Sequence, residues 1–299
     1  MNTTPSPSMS ILRAYLALGI LSLVWGTSFI LIKKSLESFE PVQVACLRMS
    51  LSAIAFIPVL IYNRKRMEWS RLPLLMVLGL CSSALPAILF STAQTRISSA
   101  TAGVLNSLTP LFTMILGVLF FNIKVKWQQV LGILIGLAGA ACLVLMSRGG
   151  SANDPLGYAL LVVLATVFYA MGTNLIASKF RDMDSLLVSA GSFGTVGIPL
   201  AFVLVLGTDF VPRLSTLPNV WISLGYVAAL SWVGTVLATI LFFKVIQQTS
   251  AIFGATVAYL MPIVAMLWGV FDGEKIGLLH IGCMGIILGG VYLTRKSSS

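Results

Sequence analysis

Arg48 stands in a long apolar run, seven residues after Pro41, or about 10 Å along a helix that rises about 1.5 Å per residue. A guanidinium in such surroundings is costly to hold and is a functional candidate by default. The alternative is that it snorkels outward or pairs with Glu37 or Glu40. Trp25 and Tyr169 lie near the middle of other apolar runs, where their rings either stack on a flat solute or pack between helices. Gln94, Asn106 and Asn174 bring amides into the same setting, and Thr27, Thr109, Thr173 and Tyr259 bring hydroxyls. Such groups glue helices together or bind a solute. Asn106 and Tyr259 come one turn before Pro110 and Pro262. A proline frees a backbone carbonyl near it, and an amide beside a freed carbonyl can hold a zwitterion. The candidate substrate-binding set is Trp25, Thr27, Arg48, Gln94, Asn106, Tyr169, Asn174 and Tyr259. Pro86, Pro110 and Pro262 are candidate gating bends, with Pro58 and Pro199 as further interruptions.

Other chemistry finds little material. There is no G-x-S-x-G, no H-E-x-x-H and no phosphate-cradling glycine loop. Asp182/Asp184 and Asp272/Glu274 are close pairs, read as helix-boundary residues. His280 is the single histidine; it reads as a headgroup-level residue, with a pH-sensitive pairing to Glu274 as the alternative. Cys46, Cys81, Cys142 and Cys283 each sit alone in an apolar run, which supports neither a disulfide framework nor a metal site. No catalytic set, metal or cofactor is expected.

The elements that must position these residues follow from composition. Of 299 residues, 58% are hydrophobic and 9% charged, against about 45–50% and about 25% in a soluble domain. Mean hydropathy is +0.98. A soluble globule, a disordered chain and a nucleic-acid-binding domain are excluded. About 20 apolar residues cross a bilayer, which predicts ten helices: 14–34, 42–62, 72–93, 99–121, 127–146, 156–177, 185–206, 219–243, 250–271 and 276–294. The first is a span and not a signal peptide, because it is long, lacks a small-x-small cleavage site and runs into Lys33-Lys34. Residues 1–10 are a polar lead-in. The net charge of +10 reads as basic loops facing anionic lipid, and the Lys/Arg bias puts both termini in the cytoplasm.

The chain repeats itself. Gly26–Lys33 (GTSFILIK) matches Gly172–Lys179 (GTNLIASK) at a shift of 146. Pro110 pairs with Pro262 and Gly117 with Gly269 at a shift of 152; Gly132 and Gly136 pair with Gly285 and Gly289 at 153. The last two pairs are G-x-x-x-G spacings, read as close helix contacts, within one chain or between two. Domains of 11–148 and 149–296 follow. Five helices per repeat is odd, so the second half enters the membrane from the opposite side. The fold class is an all-α polytopic membrane protein: ten transmembrane helices in two inverted five-helix repeats, an arrangement typical of secondary transporters.

The ordered set of features resembles the drug/metabolite transporter superfamily, in its ten-helix EamA-type group. The set comprises Trp25-Gly26 and Lys33, Pro41 and Arg48, and Ser98-Ser99-Ala100 leading to Pro110. It continues with Thr249-Ser250-Ala251 leading to Pro262, Glu274, and the Gly285 to Gly290 run. The resemblance implies a carrier of small metabolites, amino acids among them, often outward, with a central cavity between helices 1–4 and 6–9. One departure is Asn122, where the family's first half usually has a glutamate corresponding to Glu274. No Asp or Glu lies inside a predicted span, which argues against a carboxylate-based proton relay. Coupling through Asp272 or Glu274, exchange and facilitated diffusion stay open. A drug, sugar or phosphorylated-metabolite carrier is the rival within transport; a membrane enzyme and a structural or receptor protein are the rivals outside it. The expected partners are a small-molecule substrate and the bilayer of the cytoplasmic membrane, not nucleic acid. The choice between monomer and homodimer is open.

Overall fold

The computed structural model describes residues 10–147 and 156–271, and nine residues between Leu278 and Leu293. Among the described residues there is no strand. The first half comprises α1 (Ile11–Ser35), α2 (Pro41–Tyr62), α3 (Leu72–Gly79), α4 (Leu85–Ala93), α5 (Ser99–Asn106), α6 (Thr109–Phe121) and α7 (Trp127–Ser147). The second comprises α8 (Leu156–Lys179), α9 (Ser185–Gly207), α10 (Phe210–Thr216), α11 (Val220–Ser231), α12 (Ala238–Gln248), α13 (Ala251–Ala255) and α14 (Val257–Phe271). Eight helical stretches are long and apolar enough to cross a membrane, and Trp127–Gly139 is a shorter apolar one. The expected tenth span lies largely outside the described residues, as do Asp272, Glu274 and His280.

Local chemistry sets the helix starts. Ser98 and Ser250, at a shift of 152, each cap a helix by accepting from the backbone N–H three residues on, at 3.0 and 3.1 Å. Asp184 caps α9 through Leu186 N at 2.8 Å, as expected of a boundary residue. Pro41 opens α2, where a missing N–H costs nothing.

Two expected continuous spans are not regular helices. A π turn at Leu80–Ala84 joins α3 to α4, and another at Trp232–Leu237 joins α11 to α12. Two more spans are broken between α5 and α6 and between α13 and α14. Pro86, Pro110 and Pro262 marked three of these spans as interrupted, but apolar length carries no information on hydrogen-bond register, so the π turns themselves were not legible.

The outside is apolar and the inside partly polar. Leu12, Leu16, Ile20 and Leu23 of α1, and Leu156, Leu160 and Leu164 of α8, are exposed at helical spacing. Buried hydroxyls return to their own helices, as Ser50 does to Cys46 O and Ser231 to Val227 O, both at 2.7 Å. The halves interlock: α2 runs along α9, α1 along α14, and α6 along α8. Likewise α4 lies on α8, while α11 and α12 lie on α1.

The reading of isolated cysteines is corrected. Cys142 of α7 and Cys283 form a disulfide, with Cα atoms 6.0 Å apart. Sequence separation of 141 residues hid a contact made by two helices that pack side by side. The glycine reading shifts by one residue. A Cβ on Gly290, not Gly289, would strike Gly132 O and Gly136 N at 2.5 Å, whereas one on Gly285 or Gly289 would meet no described atom within 4 Å. The close contact is therefore within one chain.

Candidate functional site

A cavity of about 100 Å³ opens between the halves. A single water needs about 10–15 Å³ by this kind of measure, so a small solute has room. Four of the eight expected binding residues line it: Trp25, Arg48, Asn106 and Tyr169. Thr173, noted in the sequence as a hydroxyl between helices, lines it too.

The second π turn holds two of these residues. Its register leaves carbonyls without their regular helical donors. Trp25 Nε1 donates to Gly234 O at 2.8 Å, and Arg48 Nε donates to Thr235 Oγ1 at 2.7 Å. Thr235 Oγ1 in turn donates to Leu230 O at 3.0 Å. Arg48 therefore neither snorkels to the surface nor meets the two glutamates weighed for it. Glu37 pairs with Lys34 at 3.1 Å, and Glu40 pairs with Arg213. Arg48 reaches inward instead, across to the other half.

Aromatic rings build the walls. Trp25 meets Phe242 edge to face, with ring centres 4.8 Å apart. Phe90 lies between Phe29 at 5.7 Å and Tyr169 at 6.0 Å. Asn106, the last residue of α5, is buried at 3% exposure, with Nδ2 3.8 Å from the Met261 sulfur.

The freed-carbonyl expectation is corrected. The carbonyl that Pro110 releases is that of Asn106, and the Thr109 hydroxyl takes it at 2.8 Å. The carbonyl that Pro262 releases is that of Ala258, and the Ser107 hydroxyl takes it from the other half at 3.2 Å. Buried carbonyls seldom stay unpaired when a hydroxyl is within reach. Pro110 lies in the first turn of α6, Pro86 in the first turn of α4, and Pro262 inside α14.

The other four expected residues lie elsewhere. Thr27 Oγ1 accepts from Trp268 Nε1 at 2.8 Å, on a half-exposed flank. Gln94 donates to Phe29 O at 2.8 Å and to Ser99 Oγ at 3.2 Å, behind the cavity wall. Asn174 donates to Thr113 O and Ala170 O, both at 3.0 Å, tying α8 to α6. Tyr259 is wholly buried, and a Cβ on Gly136 would come within 2.9 Å of its ring. Its hydroxyl, Gln94 Oε1 and Asn174 Oδ1 have no hydrogen-bond partner among the described residues. Sequence reasoning missed Ser28, Ser82, Ser83 and Thr239 in the lining and Thr235 behind Arg48. Single hydroxyls in apolar helices give no signal that separates them from ordinary packing residues.

Two ion clusters close the ends of the bundle. Arg71 is bidentate to Asp182, at 2.9 and 2.5 Å, and also meets Glu68 at 2.7 Å. Arg213 meets Asp209 at 2.8 Å and Glu40, and Gln43 donates to Asp209 at 2.6 Å. The Arg71 guanidinium holds the Asp182 carboxyl below its ordinary range, and the Arg213 guanidinium does the same for Asp209. Among the described residues, no group of three His, Cys, Asp or Glu side chains is placed to hold a metal.

Known proteins share this architecture. A solved structure titled "Crystal structure of protein" covers 97% of this chain and 98% of its own, at 18% identity and a TM-score of 0.70, which speaks for the fold alone. The "Uncharacterized inner membrane transporter YedA" of Escherichia coli K12 is 26% identical over 93% of this chain and 89% of its own length. The "Probable terminal-alkyne amino-acid exporter" of Streptantibioticus cattleyicolor is 22% identical over 96% and 95%. The model of the EamA-like transporter family matches residues 12–145 and again 156–296. With nearly its whole length matched and its long apolar helices packed around a central cavity, this multi-pass membrane protein belongs to the EamA-like transporter family.

Proposed function

We propose that the protein is a secondary transporter that moves small metabolites, amino acids or related compounds, outward across the cytoplasmic membrane by alternating access. The observation that carries this reading is a cavity lined by both halves, in which Arg48 of one half is clasped by Thr235 of the other. Rocking of the halves would open that junction to one side or the other. The full arrangement is ten helices in two inverted repeats, 11–148 and 149–296, with both termini in the cytoplasm. In support, the contacts pair off under exchange of halves: α1 on α14 against α8 on α6, and α4 on α8 against α12 on α1. The π turns start 152 residues apart, at Leu80 and Trp232, and each half also carries a broken helix, which speaks for duplication. The relative named as an amino-acid exporter favours that substrate class. Pro86, Pro110 and Pro262 are the bends about which half-helices would move.

The test is flux by the purified protein in liposomes, across a panel of amino acids, with and without a pH gradient. Protein-dependent flux that falls in Asn106→Ala and Trp25→Ala is the expected result. No flux of any amino acid by folded protein would overturn the substrate class and turn the search to drugs and sugars.

A further inference from the structure

The described lining of the cavity carries one formal charge. Arg48 and Tyr169 are the titratable side chains among its described lining residues, and only Arg48 is ionised at neutral pH. The described carboxylates stand at the ends of the bundle, beside Lys34, Arg71 and Arg213 or capping α9. The Arg48 Nε–H is spent on Thr235. That clasp sets the plane of the guanidinium and leaves its two Nη groups with no acceptor among the described residues. Those two groups are a fork that matches a carboxylate.

Resting on the transporter reading above, and taking from it the related compounds rather than the amino acids themselves, we infer that the cavity selects a monocarboxylate with a flat, apolar body, and that the ammonium of an amino acid weakens binding there. Charge counting gives the reason. A monoanion brings the occupied cavity to zero. A zwitterion leaves it at +1, a dianion at −1 and a cation at +2. Each uncompensated charge in a dry interior carries a desolvation penalty that neutral oxygens only partly offset. The acceptors that remain for an ammonium are neutral. The Ser28, Ser82 and Thr173 hydroxyls already donate to their own helices, and Asn106 Oδ1 faces the Thr109 hydroxyl at 3.4 Å. The aromatic walls would attract a cation by their faces, but any cation there also meets the like charge of Arg48. The body of the solute packs against Trp25, Phe90 and Phe242.

Isothermal titration of the full-length protein in nanodiscs tests this with four probes that share one ring: 3-phenylpropionate, L-phenylalanine, phenylsuccinate and phenethylamine. The expected result is 3-phenylpropionate binding about tenfold tighter than each of the others, a difference within reach of one charge-assisted hydrogen bond. Arg48→Gln should erase that order, and Arg48→Lys should keep it in weakened form. Thr235→Val, a change at a positioning residue, should lower the ratio of 3-phenylpropionate to phenylalanine affinity. A merely structural Thr235 would lower all affinities alike. The Thr235 variant carries the test if Arg48→Gln does not fold. Phenylalanine or phenethylamine binding as tightly as 3-phenylpropionate overturns the inference. Flux in proteoliposomes, measured over protein-free vesicles, separates the two readings. Phenylalanine flux without 3-phenylpropionate binding overturns this inference and leaves transport standing. Binding of 3-phenylpropionate with no protein-dependent flux of any probe supports the site and overturns transport of amino acids and related compounds through it.

Discussion

Asn106 and Tyr259 precede equivalent prolines, yet the two broken helices present them in opposite directions. Asn106 ends α5 and faces the cavity, whereas Tyr259 is buried against Gly136, its hydroxyl without a partner among the described residues. The residue that stands where Asn106 stands, at a shift of 152, is Ala258, which also lines the cavity but offers only a methyl group. Where Tyr259 stands, the first half has Ser107, whose hydroxyl satisfies Ala258 O. The breaks are offset as well: α5 ends at Asn106 and Pro110 sits in the first turn of α6, whereas α13 ends at Ala255 and Tyr259 and Pro262 both lie inside α14. The first half supplies Arg48 and Asn106, and the second supplies the π turn that holds Arg48 and Trp25.

The sharpest way to separate the halves is to fill their matching glycines. A Cβ on Gly26 would meet Val264 Cβ at 2.5 Å, while on Gly172 the nearest atom is Ser82 Cβ at 3.0 Å. Gly26→Ala should therefore destabilise near the upper end of about 1–3 kcal/mol and Gly172→Ala near the lower. Thermal unfolding in one detergent checks this, and a larger loss at Gly172 would reverse the comparison.

Ser107→Ala should cost about 1–3 kcal/mol, because it strands the carbonyl that Pro262 releases. Replacing Pro262 as well, by Ala, restores a helical donor to that carbonyl. The double variant should therefore lose less than the two single losses added together.

Asn106→Ala should lower flux by about tenfold, the worth of one buried hydrogen bond. Tyr259→Phe should leave flux within about twofold and stability unchanged or slightly higher, since it removes a hydroxyl with no partner among the described residues. Equal effects on flux would break the distinction between the two sites.

The end clusters give the smallest effect. Asp182 is held below its ordinary range by Arg71, so its native pKa lies under the unfolded value of about 3.9. Its contribution is complete above that value and is lost as pH falls through the native one. Exposure limits it to about 1 kcal/mol or less. The unfolding temperatures of the parent and Asp182→Asn should differ at pH 7 and converge below about pH 4. The Arg213 cluster should follow the same direction through Asp209.

Asn122 stands where the resemblance leads one to expect a glutamate. It adopts φ 53° and ψ 33° at the end of α6, a left-handed conformation that asparagine accepts far more readily than glutamate does.

The sequence by itself determined that this chain is a helical membrane protein of a recognisable family, because apolar length, sparse charge and ordered prolines and glycines are properties of the chain alone. It also marked Trp25, Arg48, Asn106 and Tyr169. A charge, an amide or a mid-span aromatic in an apolar run needs a reason, and here the cavity is the reason they share. The tertiary structure alone decided which other polar residues stay out. Thr27, Gln94, Asn174 and Tyr259 look the same in sequence, but helix rotation turns them to a flank or into helix contacts. It alone decided the π turns, the disulfide between Cys142 and Cys283, and the clasp of Arg48 by Thr235. Each depends on hydrogen-bond register or on two distant segments meeting, and neither leaves a periodic trace in the order of residues.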